Sequence, residues 1–141
     1  MSAGCPKVMD KPIKVMDKTI LVVEDERMSR AIIELTLEAH GLGCKSAIHG
    51  QEALTLLSDI EFDLILTDLR MPVLDGIDLI KAIREGSIPL KVSRGIPIVV
   101  LSAEEGDMVD TAISHGISGW FIKKEPIDIL VPTLKELLKI E

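Results

Sequence analysis

Short apolar runs that alternate with segments of helical period are the feature of this chain that most restricts its fold. Four runs are strong and rich in β-branched residues, and a fifth is weaker; together they cover residues 20–23, 43–47, 64–66, 98–101 and 120–122. Runs this short do not form independent helices, and their continuous apolar character is typical of strands buried on both faces. We therefore predict five strands.

The segments between and after these runs carry apolar residues at spacings of three or four, as amphipathic helices do. The clearer stripes are Met28, Ile32, Leu35 and Ala39; Leu79, Ile80 and Ile83; and Leu130, Leu134, Leu137 and Leu138, while two shorter ones are Ala53, Leu54 and Leu57 and Met108, Val109, Ala112 and Ile113. Alternation of five strands with five helices predicts a doubly wound α/β fold around a parallel sheet. The carboxyl ends of its strands gather along one edge, where such sheets bind ligands.

The length and composition suit one domain. The chain has 141 residues, of which 47% are hydrophobic and 28% charged, as in ordinary compact proteins. We assign residues 19–141 to this domain. Residues 1–18 contain the pentapeptide KVMDK twice and are predicted to form a poorly ordered N-terminal extension, with a partner-binding arm as the alternative.

Charge and cysteine content exclude several classes of protein. A formal net charge of -7 disfavours direct binding to nucleic acid or to an anionic membrane surface. The two cysteines, Cys5 and Cys44, are far apart and form no metal-binding or redox motif, which favours a reducing compartment.

No run approaches the roughly 18 apolar residues of a spanning helix, and the start of the chain lacks a signal-peptide core. These features predict a cytoplasmic location.

Charged and hydroxyl residues follow the four strong strands directly. Glu24 and Asp25 follow the first, Asp68 the third, Ser102 the fourth and Lys123 the fifth. Clustered carboxylates repel one another unless a cation neutralises them, and a shallow oxygen-lined site suits Mg²⁺, or Mn²⁺ in its place. The sequence therefore predicts a metal site at the carboxyl edge of the sheet.

The lysine and the serine add the chemistry of a phosphoryl site. An ammonium group beside carboxylates supplies positive charge for phosphoryl oxygens, and a hydroxyl can donate one hydrogen bond to them. Asp68, on the central strand, is then the best nucleophile, because an aspartate can attack phosphorus to form a covalent intermediate. Each residue alone is commonplace in a loop, so the prediction rests on their joint placement.

Four sequence motifs resemble those of response-regulator receiver domains in two-component signalling. They are ILVVEDE from Ile20, DLILTDLRMPVLDG from Asp63, PIVVLSA from Pro97 and GWFIKK from Gly119, and the resemblance covers residues 18–140. It implies a flavodoxin-like (βα)5 fold with strand order 2-1-3-4-5. It also implies that Asp68 accepts a phosphoryl group from a histidine kinase or a phosphotransfer protein.

The resemblance implies a role for each residue of the site. Asp68 matches the phosphoacceptor, Asp25 a direct Mg²⁺ ligand, Glu24 a ligand through water, Arg70 the residue whose backbone carbonyl completes the metal shell, Ser102 the switch hydroxyl, Lys123 the invariant lysine and Trp120 the switch aromatic. A static surface tryptophan is the alternative for Trp120.

Three departures from the family pattern affect these expectations. The usual Lys-Pro pair is replaced by Lys123, Lys124, Glu125 and Pro126, so a cis peptide after the lysine is left open and Lys124 competes for its role. We favour Lys123, because it ends the apolar run directly. The loop before the fourth strand is longer than usual, and Pro132 either interrupts or starts the last helix.

The resulting functional prediction is a signalling phosphoacceptor that catalyses only its own phosphorylation and dephosphorylation. Phosphorylation shifts a conformational equilibrium, so that the face formed by the fourth helix, fifth strand and fifth helix changes its affinity for a downstream protein. The chain is expected to be a monomer or a phosphorylation-dependent dimer. The alternative is a receiver-like adaptor that works without phosphorylation. A phosphatase with an aspartate nucleophile is disfavoured, because that class generally has an acid two residues after the nucleophile, where this chain has Arg70. A flavin-binding domain is disfavoured, because acids rather than a phosphate-binding loop follow the first strand.

Overall fold

The fold is a five-stranded parallel sheet with helices on both faces. The computed structural model describes residues 18–86, 88–103 and 106–139. Its strands are β1 (Thr19–Val23), β2 (Gly43–Ala47), β3 (Leu64–Thr67), β4 (Ile98–Ser102) and β5 (Gly119–Ile122). Their spatial order is β2-β1-β3-β4-β5, and every pair is parallel. The predicted fold class and strand order are therefore confirmed.

The helices fill the connections between the strands. They are α1 (Arg27–Ala39), α2 (Gly50–Asp59), α3 (Gly76–Glu85), α4 (Asp107–Ser114) and α5 (Val131–Leu138), and a 3-10 helix (Ile127–Leu130) precedes α5. Pro132 lies in the first turn of α5, where its missing N–H has no intrahelical acceptor to lose, so it starts the helix rather than interrupting it.

The apolar core forms one layer on each side of the sheet. Because successive residues of a strand point to opposite faces, Leu21, Val23 and Ile65 pack under α2, α3 and α4, whereas Ile20, Val22 and Leu66 pack under α1 and α5. All four residues of β3 are buried, as expected for a strand covered on both faces.

Helix α1 forms where its apolar pattern predicts, but the stripe that indicated it does not face the core. Its buried residues are Ile33 and Leu37. Met28, Ile32 and Leu35 are exposed by 67%, 51% and 66%. The helix is thus apolar on two opposite sides, and spacing alone did not reveal which side is buried.

Two sequence predictions lie wholly or partly outside the described residues. Residues 1–17, which include Cys5 and all of the predicted N-terminal extension except Lys18, are not described by the structure. Among the described residues, no helix combines the length and the apolar character needed to cross a membrane.

Candidate functional site

Glu24, Asp68 and Lys123 meet at the carboxyl edge of the sheet because backbone pairing continues one residue past each strand. The amide of Glu24 donates to the carbonyl of Ala47 at 3.0 Å and that of Asp68 to the carbonyl of Val23 at 3.0 Å. The amide of Lys123 donates to the carbonyl of Ser102 at 2.8 Å. The sheet itself therefore fixes where these side chains start.

Asp68 is further fixed by the helix that follows it. The first residue of α3 is Gly76, and a Cβ built there would lie 2.2 Å from the carbonyl oxygen of Asp68. Only glycine permits this approach of helix to strand end. The amide of Gly76 also donates to the carbonyl of Leu69 at 2.8 Å, and the Asp75 side chain caps the helix by accepting from the amide of Asp78.

One lysine bridges two buried carboxylates. Lys123 Nζ lies 2.8 Å from Asp68 Oδ2 and 2.5 Å from Glu24 Oε1. Glu24 is 1% exposed and Asp68 7% exposed, so the ion pairs are largely removed from water. Charge-assisted hydrogen bonds of this kind are about twice as strong as neutral ones. Lys123 therefore neutralises part of the negative charge that the sheet edge collects.

The remaining carboxylate oxygens of this pair have backbone donors. Asp68 Oδ1 accepts from the amide of Leu69 at 2.7 Å, and Glu24 Oε2 accepts from the amide of Glu26 at 3.0 Å. Both side chains are consequently held at both oxygens, which sets their orientation before any ligand arrives.

Burial and pairing shift the pKa values of two groups at the site in the same direction. Burial raises the pKa of Glu24, and the nearby Lys123 and the amide of Glu26 offset this only in part. Burial lowers the pKa of Lys123, but its hydrogen bonds to Asp68 and Glu24 outweigh that effect, so its pKa is raised. The lysine therefore stays charged at neutral pH.

Three acids form a group whose donor atoms suit a hard cation. Glu24, Asp25 and Asp68 each offer a carboxylate oxygen, and these oxygens lie within 4.8 Å of one another. Asp25 is exposed, whereas the other two are buried, so the group opens to solvent on one side. An all-oxygen donor set with open positions for water fits Mg²⁺ or Mn²⁺ rather than zinc.

Arg30 supports this acidic pair and was not anticipated from the sequence. Its Nη1 donates to the backbone carbonyls of Glu24 at 3.0 Å and Asp25 at 3.4 Å. A basic residue in the first turn of the helix after the acids was the available signal, but its direction depends on how α1 packs. Arg30 stabilises the loop that carries both acids.

The other predicted site residues lie at or near the same edge of the sheet. Ser102 is buried at the end of β4, and Arg70 is exposed in the loop after Asp68. Trp120 is half-buried on β5 and packs against the core layer under α2, α3 and α4. Lys124 is exposed, and it is Lys123 that contacts Asp68. Every peptide bond in the described residues is trans.

A cavity of about 250 Å³ lies beside the site, between α1 and the segment after β5. Ile32, Ile33, Leu101 and Ile127 supply its apolar lining, and Lys123 and Glu125 its charged groups. The residues that depart from the family pattern after Lys123 thus shape the surface next to the acidic group.

Comparison with known proteins gives one consistent family. The family model of the response regulator receiver domain matches residues 20–135. Over 96 residues the chain is 34% identical to the uncharacterized transcriptional regulatory protein YcbL of Bacillus subtilis, covering 68% of this chain and 39% of that protein. Among the most similar curated relatives, the chain spans 12% to 53% of their full length.

Solved structures show the same fold in related domains. The receiver domain of the Francisella response regulator 1452 has a TM-score of 0.77 at 28% identity, covering 86% of this chain and 97% of that one. The receiver domain of the sensor histidine kinase PA1611 from Pseudomonas aeruginosa PAO1 has a TM-score of 0.76 at 27% identity, covering 86% and 98%. With a family match over most of its length and this shared fold, the chain belongs to the response regulator receiver domain family.

Proposed function

We propose that this chain is a phosphoacceptor of a histidine-to-aspartate phosphorelay and that Asp68 is the residue phosphorylated. The observation that carries the proposal is the Asp68 carboxylate, buried at the centre of the sheet edge with Lys123 at 2.8 Å and two further acids beside it. An adaptor that never accepts a phosphoryl group has no need to hold three carboxylates and an ammonium group together at a cost in repulsion and desolvation.

A divalent cation, Mg²⁺ or Mn²⁺, fits the acidic group. We propose that Asp25 and Asp68 bind it directly, Glu24 through water, and Arg70 through its backbone carbonyl. When bound, the cation neutralises negative charge on the transferring phosphoryl group. The receiver domain of PA1611 is described with a magnesium ion coordinated in its active site cleft, which supports the same assignment here.

The residues of the chain itself perform the transfer. An Asp68 carboxylate oxygen attacks the phosphorus of a donor phosphohistidine, so the O–P bond forms as the P–N bond breaks and the imidazole leaves. Lys123 is already beside Asp68 and remains charged, so it can follow the phosphoryl oxygens without being recruited from a distance. The chain thereby catalyses only its own modification and its reversal.

Phosphorylation adds roughly -1.5 to -2 charges and three acceptor oxygens at Asp68. We propose that the Ser102 hydroxyl moves to donate to the new group and that Trp120 fills the space it leaves. The face formed by α4, β5 and α5 then changes its affinity for a downstream protein. Trp120 fluorescence in the presence of Mg²⁺ and a phosphoryl mimic measures this step; an unchanged emission spectrum contradicts it.

The family places this chain among receiver domains of response regulators and of sensor kinases. The donor we propose is accordingly a histidine kinase or a phosphotransfer protein in the cytoplasm. We further propose that residues 19–141 form the receiver domain, with residues 1–18 as an extension.

Incubation with acetyl phosphate and Mg²⁺, followed by intact-mass measurement, tests the central claim. We expect the native chain to gain one phosphoryl group and Asp68→Asn to gain none. Asp59→Asn, an exposed aspartate at the end of α2, is the matched control and is expected to behave as the native chain. Failure of the native chain to gain mass favours the phosphorylation-independent adaptor instead, whereas an adduct retained in Asp68→Asn contradicts the assignment of Asp68 as the phosphorylated residue.

A further inference from the structure

The amino end of α4 makes few contacts that fix its position. Gly106 is the N-cap residue, and no side chain of the described residues caps the first turn by a hydrogen bond. Asp107 and Asp110 lie in that turn and interact favourably with the helix dipole, but such an interaction does not fix where the helix end lies. The buried residues of α4 are Val109 and Ala112, both small. Little therefore opposes a displacement of this end.

The carboxyl end of α4, by contrast, is bonded to α3 and to the sheet. Arg84 Nε, in the last turn of α3, donates to the carbonyl of Gly116 at 2.8 Å. The amide of Gly116 donates in turn to the carbonyl of Ile113 at 3.0 Å, so both backbone groups of this residue are used. Two residues later, the amide of Ser118 donates to the carbonyl of Ile98 on β4 at 2.7 Å. The chain that leaves α4 is thus fixed on two sides.

Arg84 is itself oriented by the long loop before β4. Its Nη1 donates to the carbonyl of Arg94 at 2.6 Å, and Arg94 Nε donates back to the carbonyl of Arg84 at 3.0 Å. The Arg94 side chain lies so close to Gly86, the left-handed residue that ends α3, that a Cβ there would be 2.7 Å from Arg94 Cδ. The amide of Lys91 donates to the carbonyl of Leu57 in α2 at 2.8 Å. The loop is therefore bonded to both α2 and α3.

The chemistry of Arg84 suits it to hold backbone in place. Burial lowers the pKa of its half-buried guanidinium, which nevertheless stays charged at neutral pH. Within the described part of the chain no carboxylate pairs with it, and its acceptors are the carbonyls of Arg94 and Gly116. Hydrogen bonds from a charged donor are about twice as strong as neutral ones, and the planar guanidinium fixes two acceptors at once. Arg84 thus positions two segments rather than neutralising a charge.

The two ends of α4 also lie at opposite edges of the sheet. The helix follows Ser102, which ends β4 at the carboxyl edge, and it leads to Gly119, which begins β5 at the amino edge. The end with few contacts is consequently the one nearer to Asp68, and the end bonded to Arg84 is the farther one. A displacement that starts at Asp68 and Ser102 reaches the amino end of α4 first.

We propose that Arg84 is a positioning residue for the face formed by α4, β5 and α5. It holds the carboxyl end of α4 against α3, so α4 moves by pivoting about Gly116 while its amino end is displaced. This inference rests on the proposed response of that face to phosphorylation, and it adds which part of the face moves. The part nearer to Asp68 changes its surface, and the part at Gly116 keeps its place.

Amide hydrogen exchange of the full chain without a phosphodonor tests the role of Arg84. Arg84→Met is expected to speed exchange at the Gly116 amide about tenfold more than at the Ile65 amide on β3, because a bond from a charged donor is lost locally. Arg84→Lys, which keeps the charge but not the planar fork, is expected to act in the same direction. Lys81→Met, one turn earlier on α3, removes the same charge and should change neither amide. Equal acceleration at Gly116 and Ile65, or the same effect from Lys81→Met, overturns the proposal.

Amide NMR spectra with Mg²⁺ and beryllofluoride, a phosphoryl mimic, test the pivot. In the native chain the amides of residues 107–110 are expected to shift and those of residues 115–118 to stay. Nearness to Asp68 alone also shifts the first group, so the decisive signal is the second group, which should shift only in Arg84→Met. Shifts at residues 115–118 of the native chain as large as those at residues 107–110 overturn the proposal.

The same spectra separate this inference from the proposed function. If Trp120 responds to the mimic while the amides of residues 107–110 do not, the pivot is wrong and the proposed function stands. If neither Trp120 nor any amide responds, the conformational step of the proposed function is wrong, and the pivot is wrong with it.

Discussion

Asp68 directly follows β3 and Lys123 directly follows β5, but the two strands differ in burial and in the number of strands they pair with. β3 pairs with β1 and β4, and all four of its residues are buried. β5 lies at the edge of the sheet, pairs with β4 alone, and is half-buried throughout. Asp68 is thus fixed by the core beneath it, whereas Lys123 depends more on its contacts with Asp68 and Glu24. Asp68 therefore follows a strand that is paired on both sides and fully buried, whereas Lys123 follows a half-buried edge strand.

Because β3 is the more deeply buried strand, we expect a substitution in β3 to lower the free energy of unfolding more than the substitutions that follow. Leu66→Ala removes a side chain that is 1% exposed between α1 and α5, and a buried Leu→Ala change costs about 3 kcal/mol. Urea unfolding of the variant measures the loss. If Leu66→Ala lowers the free energy of unfolding less than a large-to-small substitution in β5 does, β3 is not the more firmly packed strand.

Removal of the lysine charge is expected to have the next largest effect. Lys123→Met keeps the length of the side chain but leaves Glu24 and Asp68 facing each other without a counter-charge, at a cost of about 2 kcal/mol at neutral pH. Mg²⁺ should restore part of this stability if it binds the acidic group. Lys124→Met, at the exposed neighbouring lysine, is the control, and its urea unfolding midpoint should equal that of the native chain.

Truncation of a large side chain in β5 is expected to lower the free energy of unfolding less than truncation of Leu66 does. Phe121 is half-buried against the layer under α1 and α5, so Phe121→Ala should cost about 1.5 kcal/mol, below the range for a fully buried phenylalanine. The same urea titration compares the two strands directly. Equal losses for Phe121→Ala and Leu66→Ala would show that the edge strand is as firmly held as the centre.

The smallest expected effect is a change in pH dependence. Because burial raises the pKa of Glu24, the folded protein binds that proton more tightly than the unfolded chain does. Stability contributed by this group is present below the ordinary pKa of a glutamate and is lost as the pH rises through the raised value.

Glu24→Gln removes this titration, so the variant should gain stability relative to the native chain as the pH rises. Thermal unfolding measures this difference when it is followed from pH 4, close to the ordinary glutamate pKa of about 4.3, up to pH 8. Glu61→Gln, at an exposed glutamate, is the control. A constant difference between Glu24→Gln and the native chain across this interval contradicts the prediction.

Much of the site was accessible from the sequence because a parallel sheet turns a one-dimensional pattern into a shared edge. Residues that follow buried strands in the chain necessarily lie at the same edge. Glu24, Asp68 and Lys123 were predicted on that basis, and the structure brings their side chains together. Their catalytic roles remain predictions until phosphorylation is measured.

The alternation of apolar runs and helical segments by itself determined the α/β fold, the positions of the strands and which residues end them, since strand burial and side-chain period are properties of local sequence. Only the tertiary structure decided which side of α1 is buried, that Arg30 holds the acidic loop, and that one lysine bridges two carboxylates. These features depend on distances between residues far apart in the chain, and helical spacing is satisfied equally by either face of a helix that is apolar on both.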